Sequence, residues 1–217
     1  RDLDGKLQET DKDMSKAFSD GLSRQLGQPQ PPPNIDWSTS HPQAPRVPLQ
    51  QIFITADAVK TQIRKAKRSA AARPDGLPML LFAVAADIIA EPLARLYNLI
   101  NQTGIVPDSF KTAKVKMLHK KKSKDNMGNY RPLSMTNHQG KIWERLINHA
   151  IIKHLEDNNL LSDRQHGFRP KRGAFSNLTQ LWEHVIQLID DEGPLVELWS
   201  FDLTKAFDLL NHEKVLE

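Results

Sequence analysis

Residues 195–208 read Leu-Val-Glu-Leu-Trp-Ser-Phe-Asp-Leu-Thr-Lys-Ala-Phe-Asp, and this stretch decides the fold class that we predict. Its first seven residues are mostly apolar and follow the turn signal Gly193-Pro194, which predicts a largely buried strand over 195–201. Asp202 would then stand at the end of that strand on a rigid backbone. The residues leave two interpretations open: Asp202 caps the turn, or it provides an oxygen ligand for Mg²⁺, which prefers oxygen ligands.

Amphipathic helices are predicted before this strand. Residues 174–190 place a set of apolar side chains on what should be a buried side: Phe175, Leu178, Leu181, Trp182, Val185, Leu188 and Ile189. Residues 140–155 place another set on one face: Ile142, Trp143, Leu146, Ile147, Ile151 and Leu155. Further upstream, Thr55 predicts a helix N-cap, Pro92 predicts the start of a new helix, and Gly104 predicts a helix end.

Two short strands are predicted between these helices. Residues 113–118 alternate as Ala-Lys-Val-Lys-Met-Leu, which is typical of a strand with lysines on one face. Residues 130–135 can return as a second strand, with Pro132 near its start. The predicted fold class is therefore α+β, with helices packed on a small and incomplete sheet.

The chain divides by composition into two parts. Residues 1–48 form a polar segment followed by a linker, because seven of the 14 prolines fall within 28–48. Residues 49–217 form the folded part. The first residue is Arg1 rather than Met, which favours a fragment of a longer protein. The sequence contains no apolar run long enough to predict a membrane span. The absence of cysteine excludes disulfides and fits an intracellular protein of the nucleus or cytoplasm.

Basic residues are concentrated in one segment. The formal net charge is +4, yet eight basic residues and one acid, Asp125, fall between Lys111 and Arg131. A block of this kind binds a polyanion or lies solvated on a surface. The charge pattern alone leaves both possibilities open.

Five segments in order resemble the reverse transcriptases of non-LTR (LINE-like) retrotransposons. The segment Phe-Asp-Leu-Thr-Lys-Ala-Phe-Asp at 201–208 resembles their first catalytic motif. The other four are Pro74-Asp75-Gly76-Leu77-Pro78, residues 106–134 ending in Asn-Tyr-Arg-Pro-Leu-Ser, residues 140–147, and Gln-His-Gly-Phe-Arg-Pro-Lys-Arg at 165–172. The sequence departs from the family at Arg73, where Gly is usual. The resemblance implies the fingers and the beginning of the palm of a right-hand polymerase.

The resemblance also implies roles for individual residues. Asp202 would bind the catalytic Mg²⁺ ions in a two-metal site, with the backbone carbonyl of Leu203 as a further ligand. Arg131 would grip the nucleotide triphosphate, together with Lys114 or Lys116. Phe207 would lie under the sugar of the incoming nucleotide, although core packing also explains it.

Further basic residues are implied to meet the nucleic acid. Lys120, Lys121 and Lys122 would contact template backbone or only water. Arg169 and Arg172 would lie near the template strand, although Arg169 can instead brace its own turn. The implied partners are an RNA template, a DNA primer and a dNTP, with no membrane and an undefined oligomeric state.

The implied reaction is RNA-directed DNA synthesis, in which a primer 3′-hydroxyl attacks the α-phosphate of a dNTP. The family's later aspartate pair does not occur by Glu217, so we expect the chain by itself to be inactive. Two alternatives remain: a reverse transcriptase of the intron-maturase lineage, and a non-catalytic nucleic-acid-binding remnant of a degenerate or domesticated element.

Overall fold

The structure is a computed structural model that describes residues 10–26, 47–67, 73–120, 123–193 and 195–202. These residues fall into two compact units. Unit 1 contains the described residues of 10–26 and 52–146, and unit 2 contains those of 47–51 and 147–202. Most of the predicted proline-rich linker lies outside the described residues.

Helices predominate, and one hairpin supplies the strands. The helices are α1 Asp11–Leu26, α2 Ala56–Lys65, α3 Met79–Val84, α4 Ala86–Thr103, α5 Asp108–Lys111, α6 His138–Asp157 and α7 Ala174–Glu192. The strands are β1 Ala113–His119 and β2 Tyr130–Thr136, with a short 3₁₀ helix Met127–Asn129 before β2. The architecture is thus a mixture of helices and a small antiparallel sheet. No helix within the described ranges is long and apolar enough to cross a membrane.

The core of unit 1 lies between α2 and α4. Thr55 caps α2 as predicted, because its Oγ1 accepts a hydrogen bond of 3.2 Å from the backbone N of Ala58. Val59 and Ile63 of α2 are fully buried. A stripe at helical spacing on α4 is buried as well: Ala86, Ala90, Ala94, Tyr97 and Ile100.

Asparagine side chains fix the segment that leads into α2. Asn98 on α4 accepts from the N–H of Ile54 and donates to its carbonyl, both at 2.8 Å. Asn101 donates to the carbonyl of Ile52 at 3.0 Å. An extended segment has no partner strand here, so these amide side chains satisfy backbone groups that burial would otherwise leave unpaired.

The predicted helix start at Pro92 was wrong. Pro92 lies inside α4, and the break falls earlier, at Ala85. Pro92 cannot donate to the carbonyl of Ile88. Both residues are exposed, so water can satisfy that carbonyl and the helix continues. The predicted end at Gly104 is confirmed, since Gly104 adopts a left-handed conformation with φ of 70°.

The two strands pair antiparallel, as the alternation predicted. Each strand is an edge, which is why Pro132 is tolerated inside β2. However, no buried hydrophobic residue of the described core comes from β1 or β2. The hydrophobic core is therefore formed by the helices and by Ile54 of the segment before α2, and not by helices packed on the sheet as the sequence had predicted.

The predicted buried side of α7 was wrong. Phe175 is 86% exposed and Trp182 is 62% exposed, and Leu178 and Ile189 are exposed as well. The helix itself forms as predicted, because the apolar spacing sets its periodicity. Burial requires a second surface, and none of the residues that the structure describes covers this face.

The predicted strand over 195–201 was also wrong. Residues 195–202 adopt no regular secondary structure, and Leu195, Trp199 and Phe201 are largely exposed. An apolar run forms a strand only where a neighbouring strand accepts its backbone hydrogen bonds. Within the described ranges, β1 and β2 pair only with each other.

Candidate nucleic-acid interface

The strand register brings three predicted site residues to one face of the β1–β2 hairpin. Lys114 lies opposite Met135, Lys116 opposite Leu133, and Arg131 opposite Leu118. Residues directly opposite each other share a face, and so do residues two apart on one strand. Lys114, Lys116 and Arg131 therefore share a face, with Arg131 diagonal to Lys116 at a typical separation of roughly 7–8 Å.

The opposite face of the hairpin packs against α1. Tyr130 makes edge-to-face contacts with Phe18 of α1, at a centroid distance of 4.9 Å, and with His119 of β1, at 5.1 Å. Because Tyr130 and Arg131 are consecutive in a strand, they point to opposite faces. The ring of Tyr130 thus directs Arg131 away from α1.

Local hydrogen bonds shape the turn of the hairpin. Asn129 donates through its side chain to the carbonyl of Ser123 at 2.7 Å, and the Tyr130 hydroxyl donates to the carbonyl of Lys124 at 3.0 Å. Asn126 accepts from the N–H of Gly128 at 2.8 Å. In the Asn-Tyr-Arg sequence, Asn129 and Tyr130 thus have structural roles in the turn.

The shared face is positively charged and uncompensated. Lys114, Lys116 and Arg131 are exposed, and none of them forms an ion pair or side-chain hydrogen bond with a described residue. Lys120 is exposed at the end of β1, while Lys121 and Lys122 lie outside the described residues. Exposed cations on a fixed backbone can bind phosphate oxygens at little cost in desolvation.

Arg169 occupies a different environment, inside the loop before α7. Its side chain is only 7% exposed and forms a bidentate ion pair with Glu156 at 2.8 and 2.7 Å. It also donates to the carbonyls of Ser162 and Gln165. These contacts favour the interpretation that Arg169 braces its own turn. Arg172 is more accessible and pairs with Asp163 at 2.9 Å.

His166 anchors the same loop to α7. It is buried, its Nδ1 lies 2.8 Å from Ser176 Oγ, and its Nε2 lies 2.7 Å from Gln180 Oε1. The sequence had not assigned His166 a role. Its place in the Gln-His-Gly-Phe-Arg segment was the available signal, and the structure gives it a positioning role.

The stability of unit 2 should fall in acid because of Glu156. The hydrogen bond from Arg169 holds the pKa of this carboxyl below its ordinary value of 4.5. A lowered folded pKa stabilises the fold above pH 4.5, and this contribution is lost as pH falls through the folded pKa. We therefore expect the midpoint of urea unfolding to fall less steeply below pH 4.5 in Glu156→Gln than in the wild type. Glu183→Gln is the control, because Glu183 is an exposed carboxylate on α7. Equal slopes of the urea midpoint against pH for the wild type and Glu156→Gln would contradict a stabilising ion pair between Glu156 and Arg169.

The predicted metal site lies at the edge of the described structure. Asp202 is described and exposed, whereas Leu203 and Phe207 lie outside the described residues. In the part of the chain that is described, no three His, Asp or Glu residues cluster as metal ligands. Asp202 thus offers one carboxylate, and the described geometry does not test its role.

A second basic group was missed by sequence reasoning. Lys67, Arg73, Lys141 and Arg145 line one pocket of unit 1. Lys141 and Arg145 are four residues apart on α6, which places them on one face and was a detectable signal. No spacing along the chain indicated that Lys67 and Arg73 would join them.

Comparisons with known proteins agree with the motifs. Residues 118–217 match the family described as reverse transcriptase (RNA-dependent DNA polymerase). The chain is 30% identical over 125 residues to the probable RNA-directed DNA polymerase from transposon BS of Drosophila melanogaster, covering 57% of this chain and 14% of the relative. It is 27% identical over 164 residues to the RNA-directed DNA polymerase from mobile element jockey of the same species, covering 75% of this chain and 18% of the relative.

A third relative is also named as an RNA-directed DNA polymerase of a transposon. The probable RNA-directed DNA polymerase from transposon X-element of Drosophila melanogaster is 27% identical over 118 residues, covering 54% of this chain and 13% of the relative. The chain thus spans less than a fifth of the length of these curated relatives. The resemblance inferred from the motifs is confirmed, since residues 118–217 match the reverse transcriptase family and these relatives are named as RNA-directed DNA polymerases of transposons or mobile elements.

Proposed function

We propose that this chain supplies the part of an RNA-directed DNA polymerase of a non-LTR retrotransposon that binds the nucleotide and the template. The observation that supports this most is the face of the hairpin that contains Lys114, Lys116 and Arg131. These cations are exposed, and no described residue neutralises them. The matched reverse transcriptase segment begins within β1 and includes all of β2.

Phosphate is the ligand that suits this face. A guanidinium presents a planar fork of donors that matches phosphate oxygens, and lysines add point charges. A nucleotide triphosphate spreads its charge over several groups, so three cations on one face can contact it together. We assign Arg131 to the triphosphate of a dNTP, with Lys114 or Lys116 beside it. Lys120, Lys121 and Lys122 would continue the positive surface along the backbone of an RNA template.

The loop before α7 would approach the template with different groups. Arg169 acts as its brace, and Arg172 is the more accessible cation. Phe168 is 89% exposed and adopts a positive φ of 62°, which is uncommon for an aromatic residue. An exposed ring of this kind provides a surface on which a base can stack.

Residues 49–217 would form the fingers and the beginning of the palm, preceded by the proline-rich linker. Asp202 would contribute a carboxylate to Mg²⁺, with the carbonyl of Leu203 beside it. The donor chemistry fits, since Mg²⁺ prefers carboxylate and carbonyl oxygens, but one described carboxylate is not a complete site. When bound, such ions activate the primer hydroxyl and stabilise the leaving pyrophosphate. Phe207 would contact the sugar of the dNTP.

The hairpin face can be tested by its salt dependence. Without a dNTP, the backbone phosphates of an RNA can occupy the same cations. We therefore expect the triple variant Lys114→Gln, Lys116→Gln, Arg131→Gln to bind a labelled single-stranded RNA with a smaller slope of log affinity against log salt. Each lost phosphate contact lowers the slope by about 0.7 for single strands, so three contacts lower it by about 2. The measurement is fluorescence anisotropy over a series of salt concentrations.

A matched control is available on the same unit. Lys60→Gln, Arg95→Gln and Lys111→Gln together remove the same amount of charge, but these side chains already pair with Asp87, Glu91 and Asp108. Their slope should stay near that of the wild type. An unchanged slope in a folded hairpin variant, judged by circular dichroism, would show that this face is only a solvated surface.

A further inference from the structure

A pocket of about 220 Å³ in unit 1 is lined by four cations. Lys141 and Arg145 project from the first turns of α6, Lys67 follows α2, and Arg73 precedes the turn that leads to α3. Met79 and Ile142 provide apolar lining. None of the eight residues that line the pocket is an acid.

The four cations lack compensation from the described residues. None of them forms an ion pair with any residue in the described ranges. The Nε of Arg73 is buried and finds no hydrogen-bond acceptor there. A buried guanidinium N–H without an acceptor is costly, and an incoming anion would satisfy it.

The lowered pKa of Lys141 also indicates that positive charges in the pocket repel one another. Burial lowers the pKa of Lys141, and the nearby charges of Arg145 and Arg73 lower it further. Glu144 raises it, but this is the weakest of the four effects. Repulsion of this kind destabilises the fold unless a ligand offsets it. The pocket also lies at the N-terminal end of α6, where the helix dipole adds positive potential.

We propose that this pocket binds a phosphate group through Arg73, Lys141 and Arg145, with Lys67 at its rim. It is a second anion site, formed by residues other than those of the hairpin face. Its ligand is a phosphate group, provided either by the backbone of a nucleic acid or by a free nucleotide. Guanidinium and ammonium donors around a half-enclosed space distinguish such a site from a solvated basic surface.

Inorganic phosphate is the first probe. At constant ionic strength, kept with chloride, phosphate should raise the thermal midpoint of the wild-type chain. Arg145→Gln and Lys141→Gln should each weaken the apparent phosphate affinity about tenfold or more, because each removes a charged hydrogen bond. Without phosphate, Lys141→Gln should be no less stable than the wild type, since a charge at this position is disfavoured.

Lys153→Gln on the same helix is the matched control, because Lys153 pairs with Asp157; its phosphate response should equal that of the wild type. The hairpin triple variant should also keep the response, which separates this proposal from the proposed function. Displacement of inorganic phosphate by a single-stranded RNA, or instead by a dNTP, identifies which molecule provides the phosphate group. The proposal is overturned if phosphate does not stabilise the wild type, or if Arg145→Gln and Lys141→Gln respond as strongly as the wild type.

Discussion

Asp202→Asn is expected to abolish dNTP incorporation by an enzyme that contains this chain within a full-length reverse transcriptase. Asparagine keeps the shape of the side chain but removes the charge that would hold a divalent cation. Loss of several kcal/mol of transition-state stabilisation corresponds to a decrease of about a thousandfold or more in turnover. Primer extension on an RNA template measures this directly.

Template binding provides the necessary contrast. Because Asp202 would act on the metal, the affinity for the primer–template should stay close to that of the wild type. Asp191→Asn, an exposed carboxylate near the end of α7, should leave both turnover and binding unchanged. Turnover of the Asp202 variant at the wild-type rate would show that this carboxylate caps its turn and holds no metal.

Tyr97→Ala is expected to cause the largest loss of stability in unit 1. The ring, on α4, is fully buried and makes an edge-to-face contact with Phe110 of α5, and its hydroxyl donates to the carbonyl of Gln139 at 2.8 Å. Burial raises the pKa of Tyr97, so the hydroxyl remains a donor at any ordinary pH. By analogy with other buried aromatic residues, removal of the ring should cost about 3–5 kcal/mol in the free energy of unfolding.

Tyr97→Phe separates the ring from its hydrogen bond. This variant keeps the packing but leaves the carbonyl of Gln139 without this donor, which should cost about 1–3 kcal/mol. Urea unfolding followed by circular dichroism gives both values. If the two variants lose the same free energy, packing of the ring contributes little, and the position of Gln139 at the start of α6 is the more important element.

Other features near the start of α6 show how closely this region is packed. Asn137 accepts from the N–H of Gly140 and donates to the carbonyl of Ser109, both at 2.8 Å. A Cβ on Gly140 would meet Asn137 Oδ1 at 2.9 Å and Phe110 Cγ at 3.1 Å. Only glycine fits without a shift, and this close approach helps to set the position of Lys141 in the basic pocket.

The sequence by itself determined the elements whose causes are local. Thr55 caps α2 through its own next turn, Gly104 ends α4 because it tolerates a positive φ, and the alternation over 113–118 defines β1. The shared face of the hairpin is only partly local, because it also depends on the register of the two strands. Once two strands pair in register, the period of two places Lys114, Lys116 and Arg131 together.

Tertiary structure decided the features that depend on a distant partner. The spacing on α7 predicted a helix correctly but not its burial, because an apolar stripe is buried only where another surface covers it. The run at 195–201 likewise lacks the neighbouring strand that its backbone would need. Arg169 is a brace because folding brings Glu156 within 2.8 Å, and Arg73 joins Lys141 and Arg145 because α6 packs beside the segment before α3. Sequence spacing sets periodicity, whereas charge partners and burial are set by contacts between residues far apart in the chain.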